Sequence, residues 1–423
     1  MASEWREVAL GTLAEIYDGP HATPPKTSEG PLFLGISTLV NGRLELAAAD
    51  HLSEEDYRRW TRRIVPAPGD VVFSYETRLG EAALIPHGLR CCLGRRLGLL
   101  RARPDGVDPR FLLYAYLGPQ FQETLRARTI HGSTVDRIPL IDLADFPIFV
   151  PDDIGEQRAI ASVLGALDDK IELNRRMSET LEAMALALFK SWFVDFDPVR
   201  AKCEGRDSGL PQHLAGLFPD RLVPSALGET PAGWMREPVG IHMTNFDALR
   251  IPVSGADRAK RQGPYPYHGA AGVLDHVDAY LFDGVYLLVG EDGSVVRDGV
   301  AVTQYLWDRL WVNNHAHVLQ GRDSVSTEQL YLYFGYEPIS PYVTGAVQPK
   351  LSQGRMNTMP FLFAGPGVCR MFGKLIQPLF ATVRANADTT ATLVAIRDAL
   401  LPKLISGELR APDAERIAVE AGA

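Results

Sequence analysis

Positions 160, 164, 167, 171, 174, 178, 181, 185, 188 and 192 alternate steps of four and three and carry Ile, Leu, Leu, Ile, Asn, Ser, Leu, Ala, Leu and Trp, a stripe that is apolar except at its two central positions. That spacing is the a/d seam of a helix made to pair with another helix. A second stripe repeats it at an offset of 212, where Leu379, Val383, Asn386, Thr390, Leu393 and Leu400 answer Leu167, Ile171, Asn174, Ser178, Leu181 and Leu188. With Leu164 at the head of the first stripe, these residues define the expected seam. The first helix is predicted over about residues 156–194, on the order of 58 Å, longer than one small domain needs. Pro378 and Pro402 interrupt the second stripe and predict a shorter second helix. Ordinary core packing gives stripes of this kind as well, but two matched stripes favour mutual, antiparallel pairing. Asn174 and Asn386 would then meet near a pseudo-two-fold axis and fix register, the alternative being two solvent-facing breaks.

Ahead of each stripe lies a mixed stretch, and the two stretches are copies of one plan. Trp5-Arg-Glu-Val-Ala-Leu-Gly11 is answered by Trp234-Met-Arg-Glu-Pro-Val-Gly240, at offset 229. Gly69-Asp-Val-Val-Phe-Ser-Tyr-Glu76 is answered by Gly284-Val-Tyr-Leu-Leu-Val-Gly-Glu291, which aligns Glu76 with Glu291. Gly132-Ser-Thr-Val is answered by Gly345-Ala-Val-Gln at offset 213, so the second copy is 16 residues shorter in its loops. Short apolar runs bounded by Gly or Pro (Pro31–Leu39, Val71–Tyr75, Val285–Val289, Trp311–Leu319) read as strands, and Glu54–Arg63 and Arg110–Leu117 as helices. The expected organisation is a mixed α/β domain over residues 1–151, a helical spacer over 152–200 and a Pro- and Gly-rich connector over 201–233. A second α/β domain follows over 234–366, then a second helical spacer over 367–410 and a tail over 411–423. The fold class is mixed α+β: two α/β domains in pseudo-two-fold arrangement, separated by two long antiparallel coiled-coil helices.

Composition narrows the function. Four cysteines, Cys91, Cys92, Cys203 and Cys369, form no CxxC and no disulfide framework, which suits a reducing cytoplasm. Neither a leader-like N-terminus nor an apolar run of membrane-spanning length is expected. Net charge is −9, against a partner held by bulk electrostatics alone. Distribution matters more: residues 1–150 carry 17 Lys+Arg against 19 Asp+Glu, and 16 of the cations are Arg, the residue suited to bidentate reading of guanine and phosphate.

Catalytic motifs are absent. No Gly-rich cofactor turn with an Asn/Asp-Pro-Pro-aromatic loop marks a methyltransferase, and no Gly-x4-Gly-Lys-Ser/Thr marks an ATPase. Asp152 and Asp153 lack the lysine of a nuclease metal site and suit a helix N-terminus instead. His315 and His317 lie two apart but lack a third ligand, so they read as a hydrogen-bonded core pair, and no metal site is expected. Groove-reading side chains on loops are present in both copies. They are Tyr75, Thr77, Arg78, Arg95, Arg96, His131, Ser133 and Thr134 in the first, and His268, Ser294, Gln348 and Lys350 in the second. The basic run Arg58-Arg59-Trp60-Thr61-Arg62-Arg63 fits either phosphate contact or a solvated helix face.

In these ordered motifs the chain resembles the specificity subunits of type I restriction-modification systems along nearly its whole length. The Trp-x5-Gly openings resemble the start of each target-recognition domain, and Gly69-Asp-Val-Val-Phe that family's Gly-Asp-apolar strand. Gly155-Glu-Gln-Arg158, Leu164-Gly-Ala-Leu-Asp-Asp-Lys-Ile171 and Phe189-Lys-Ser-Trp-Phe-Val-Asp-Phe196 are similar to its central helical region, and Leu400-Leu-Pro-Lys-Leu-Ile-Ser-Gly-Glu408 to its C-terminal one. The second helix departs from the pattern, with Cys369-Arg-Met-Phe372 where the Glu-Gln pair is expected. The resemblance implies a non-catalytic subunit that reads a bipartite target in double-stranded DNA. Its helices would act as a ruler, holding the half-sites about one DNA turn apart, and as the docking surface for two methyltransferase subunits and through them for motor-nuclease subunits. No cofactor is expected on this chain; S-adenosylmethionine, ATP and magnesium would sit on the partners. A coiled-coil scaffold that never touches DNA, or an orphan subunit serving methylation only, are the competing readings.

Overall fold

The computed structural model describes residues 4–420 apart from 22, 105, 133–134, 226–227 and 346. The chain forms two compact units, Met1–Leu173 with Thr389–Ala423 (unit 1) and Asn174–Asp388 (unit 2). The division falls inside the two long helices, where the sequence suggested separate spacers.

In unit 1, Trp5–Ala9 pairs antiparallel with Pro147–Pro151. A four-stranded antiparallel sheet orders Ala14–Asp18, Leu97–Ala102, Val71–Ser74 and Ala82–Leu84. A smaller sheet places Thr27–Leu34 between Asp50–His51 and Cys91–Leu93, parallel to the latter. Unit 2 repeats all three arrangements: Met235–Pro238 with Pro360–Phe363; Met243–Asn245, Ala316–Gly321, Tyr286–Gly290 and Thr303–Leu306; and Tyr265–Gly269 parallel to Arg309–Val312. The run Trp311–Leu319, expected as one strand, is two. Asn313 breaks it, its Oδ1 accepting from His315 N at 2.8 Å in a side-chain turn.

Each unit closes its core against a helix in equivalent positions. Pro109–Leu117 is capped by Asp108, whose carboxylate accepts from Arg110 N and Phe111 N at 3.0 Å. Thr327–Phe334 is capped by Ser326 through Gln329 N at 3.1 Å. Such caps answer backbone donors that have no partner within the helix.

The long helices are Ile154–Phe193 and Gly365–Ile405, of 40 and 41 residues. The second is therefore not the shorter. Pro366 occupies its first turn, where no N–H is needed. Pro378 lies on an exposed face between buried Ile376 and Phe380. Burial of those flanking apolar side chains offsets the roughly 3 kcal/mol that an interior proline costs. Pro402 falls in the last turn, before Gly407 at φ +76° ends the helix.

Within each unit the two helices run antiparallel. In unit 1, Leu164, Leu167 and Ile171 share a core with Leu393, Leu400 and Leu404, and Arg397 bonds Asp168 at 2.9 Å. In unit 2 the seam is aromatic: Phe189, Trp192 and Phe193 meet Phe372, with Phe380 beyond. Asn174 and Val383 are buried, but Leu181, Leu188 and Leu379 are only half-buried, and Phe189 and Phe380 take the core positions beside the last two. A 3.6-residue helix drifts about 20° per heptad from a strict seam, so the neighbouring position comes to face the core. The two seam amides do not bond one another. Asn386 Nδ2 donates to Ser178 Oγ at 3.3 Å, and Ser178 Oγ donates to Asn174 O at 3.0 Å.

The two opening tryptophans have equivalent places. Trp234 packs on Phe193 and on Phe196, a left-handed residue (φ 59°) just past the first long helix. Trp5 packs on Phe111 and lies where a Cβ on Gly407 would approach its indole to 2.6 Å. The expected connector brings Phe218 against Trp192, at 4.8 Å between ring centroids. The expected tail is a helix, Ala411–Glu420, buried through Ala411, Ala414 and Ala418 and tied on by Arg410–Glu156 at 3.1 Å.

Candidate nucleic-acid interface

In each unit a central strand of the four-stranded sheet runs out into a loop held by the same backbone contacts. Tyr75 N donates to Arg96 O (3.2 Å) and Ile138 N to Tyr75 O (2.8 Å), with Glu76 bridged to Arg137. Glu291 N donates to His315 O and Leu351 N to Glu291 O (both 2.8 Å), with Asp292 bridged to Lys350. Tyr75 thus corresponds to Glu291, Glu76 to Asp292, Arg96 to His315 and Arg137 to Lys350. The alignment of Glu76 with Glu291 is one residue out, because the second copy has one more residue between its glycine and the loop.

The neighbouring turns also match. A Cβ on Gly132 would lie 2.5 Å from Val135 O, and one on Gly345 2.3 Å from Gln348 O, so each turn admits only glycine.

Beneath the loops sits a polar set that recurs thirteen and sixteen residues after each opening tryptophan. In unit 1, Asp18 pairs with His21 at 2.9 Å. Burial, followed by the charge of Asp18, pushes the Tyr75 phenol well above its ordinary range. In unit 2, Asp247 pairs with Arg250 at 3.5 Å, Arg250 with Glu291 at 2.8 Å, and Lys350 with Glu291 at 3.4 Å. His317 Nδ1 meets Asp247 at 2.6 Å and its Nε2 meets Leu351 O at 2.8 Å. Burial opposes ionisation of Asp247, but the bonds from His317 and Val318 N and the charge of Arg250 outweigh it and hold the carboxyl below its usual range.

Ligand atoms of Asp247, Glu291 and His317 lie within 4.8 Å of one another, a spacing a metal would accept. The chemistry runs the other way: both imidazole nitrogens face oxygen acceptors, and Arg250 and Lys350 already answer the carboxylates. His315 and His317 are not the core pair expected. His315 precedes the strand, half-exposed, and pairs with Asp292.

Of the loop residues named from sequence, Thr77, Arg95, His131, Ser294, Gln348 and Lys350 are exposed. Arg95 makes no ion pair among the described residues. Arg96 pairs with Glu76 at 3.2 Å, Arg78 with Glu81 at 3.3 Å and His131 with Asp136 at 3.2 Å. Ser133 and Thr134 lie outside the described residues. Two expectations are corrected. Tyr75 is buried beneath its loop, with 6% of its surface exposed. His268 lies inside strand Tyr265–Gly269, is 5% exposed, and bonds Gln304 at 3.0 Å. Its burial lowers the imidazole pKa. Neither ring is placed to enter a groove; both support the loops above them. Arg137, exposed and matching Lys350, was missed, although the 213-residue offset between Gly132 and Gly345 already aligns the two.

No described helix is long and apolar enough to cross a membrane. Cys91 and Cys92 are buried, which pushes both thiols up to about 12 and keeps them unreactive.

A family model described as the type I restriction modification DNA specificity domain matches residues 2–183. The MjaIX type I restriction enzyme specificity subunit of Methanocaldococcus jannaschii is 26% identical over 387 residues, covering 85% of this chain and 82% of that one. The HindI specificity subunit of Haemophilus influenzae is 24% identical over 358 residues, covering 72% and 78%. The S subunit of the type I restriction-modification system of M. genitalium shares the fold, with a TM-score of 0.55 at 16% identity over 95% of this chain and 96% of that one. With its duplicated α/β plan and paired long helices, the chain is similar to type I restriction-modification specificity subunits, and its residues 2–183 match their DNA specificity domain.

Proposed function

We propose that this chain directs a type I restriction-modification complex to a bipartite DNA target, each unit reading one half and neither doing chemistry. One observation carries the reading: a single loop scaffold occurs twice with different side chains on it. Unit 1 offers Thr77, Arg95 and Arg137 where unit 2 offers Gly293, Asn314 and Lys350, with Ser294 and Gln348 nearby. A constant backbone with exchanged groove-facing groups is what two half-sites of different sequence require. Arginine suits guanine in the major groove and glutamine suits adenine.

Double-stranded DNA and two methyltransferase subunits are the partners, with motor-nuclease subunits recruited through the latter. S-adenosylmethionine, ATP and magnesium belong to those partners. The long helices offer docking surface, since Met177 and Met184 remain exposed on the first and Leu375 on the second. The test is co-purification with the neighbouring methyltransferase subunit, then methylated-base sequencing of DNA from cells with and without this chain. A split methylated motif that vanishes on deletion is expected, and exchanging residues 234–366 for those of a relative should change one half only. No complex and unchanged methylation would leave the scaffold reading in its place.

A further inference from the structure

Unit 1 holds a basic cavity that no groove-reading loop uses. Helix Glu54–Trp60 and the residues after it bring Arg59, Arg62, Arg63 and Trp60 around a cavity of about 280 Å³. The three arginines are exposed and have no carboxylate partner among the described residues; Arg59 only rests on the Trp60 ring, 5.6 Å from its centroid. Trp60 Nε1–H, shut off from water, has no acceptor. Of the one carboxylate lining the cavity, Asp18, Oδ2 pairs with His21 at 2.9 Å, while Oδ1 is buried without a hydrogen-bond partner.

The cavity adjoins the candidate interface. Gly19 in its wall donates to Leu97 O at 3.0 Å, and a Cβ there would lie 2.4 Å from Leu97 O and 2.9 Å from Gly94 O. Those residues flank Arg95 and Arg96. On the corresponding sheet face of unit 2 the guanidinium groups are answered from within. Arg258 pairs with Asp275 at 3.0 Å and Arg261 with Asp278 at 2.8 Å.

We infer that the Arg59, Arg62 and Arg63 cavity of unit 1 is a clamp for the DNA sugar-phosphate backbone, and that unit 2 has no equivalent. The inference rests on the proposed function. Three uncommitted guanidinium groups fit adjacent phosphodiesters, which present only acceptors and carry no sequence. The two halves of the target are then held unequally: unit 1 contributes most of the counterion release, and unit 2 reads with little electrostatic hold.

The test measures affinity of the assembled methyltransferase complex for its methylated motif between roughly 50 and 200 mM salt. Replacing Arg59, Arg62 and Arg63 together by Ala should flatten the slope of log K against log salt by about 2 to 3 and lower affinity at least about tenfold at the low-salt end. The methylated sequence should not change. The triple Lys variant keeps the charge and should keep the slope, which separates loss of charge from loss of fold. Arg258→Gln with Arg261→Gln in unit 2 should leave the slope where it was. An unchanged slope in the Ala variant, or an equal loss in the unit 2 variant, overturns the clamp alone. A wild-type complex without sequence-dependent affinity overturns the functional reading and the clamp with it.

Discussion

Units 1 and 2 fill one buried position in opposite ways. Beneath the loop of unit 1, Phe73 lies across from Gly98, and a Cβ on that glycine would come 2.4 Å from the ring. In unit 2 the same cross-strand pair is Val289 and His317, and the imidazole is tied to Asp247 and to Leu351 O. The backbone is the same, but an aromatic plug in one unit becomes a charged network in the other. The scaffold accepts either, provided each buried polar group finds a partner. The choice decides whether the loop above is held by packing or by charge.

Glu291→Ala should be the most damaging probe of that difference. It leaves Arg250, at 12% side-chain exposure, short of its main partner, and loss of about 3–5 kcal/mol in urea unfolding is expected. Tyr75→Phe at the matching position of unit 1 should cost only about 1 kcal/mol. Equal losses would mean that charge does not hold the second loop. Next in size, Gly98→Ala should cost about 2 kcal/mol by forcing Phe73 aside, and Phe73→Leu in the same chain should recover part of it. A harmless Gly98→Ala would show that the plug is loose. The smallest effect concerns Thr77, held at φ 69° where unit 2 has Gly293 at φ 72°. Thr77→Gly should raise the free energy of urea unfolding by a net of about 0.5 kcal/mol, while weakening DNA affinity. A gain in stability with full affinity would deny Thr77 a place in recognition.

Much of the architecture was legible in the chain because it is written twice. The matched stripes, the Trp-x5-Gly openings and the paired glycine turns gave the duplication, the helix pair and the loop set. What stayed hidden depends on tertiary context. Pro378 breaks a helix by local rule, but buried Ile376 and Phe380 carry the helix through it. His268 reads as a loop residue beside a glycine, and only the parallel pairing of Tyr265–Gly269 with Arg309–Val312 encloses it. Asp18 with His21, and Asp247 with Arg250, stand in register from their tryptophans, but the pairs lie away from the repeated glycine motifs at Gly69, Gly132, Gly284 and Gly345. Their role appears only when Tyr75 and Glu291 are folded over them.

Unit 1 is discontinuous, and this sets the order in which a ribosome can complete the molecule. Residues 174–388 contain everything unit 2 needs and emerge while the last segment is still unmade. Unit 1, begun first, waits for Leu393, Leu400 and the helix Ala411–Glu420 to cover Leu164 and Leu167. Its unfinished core is the surface a chaperone would meet during synthesis. A frameshift late in the reading frame would therefore injure the half of the protein that was translated first.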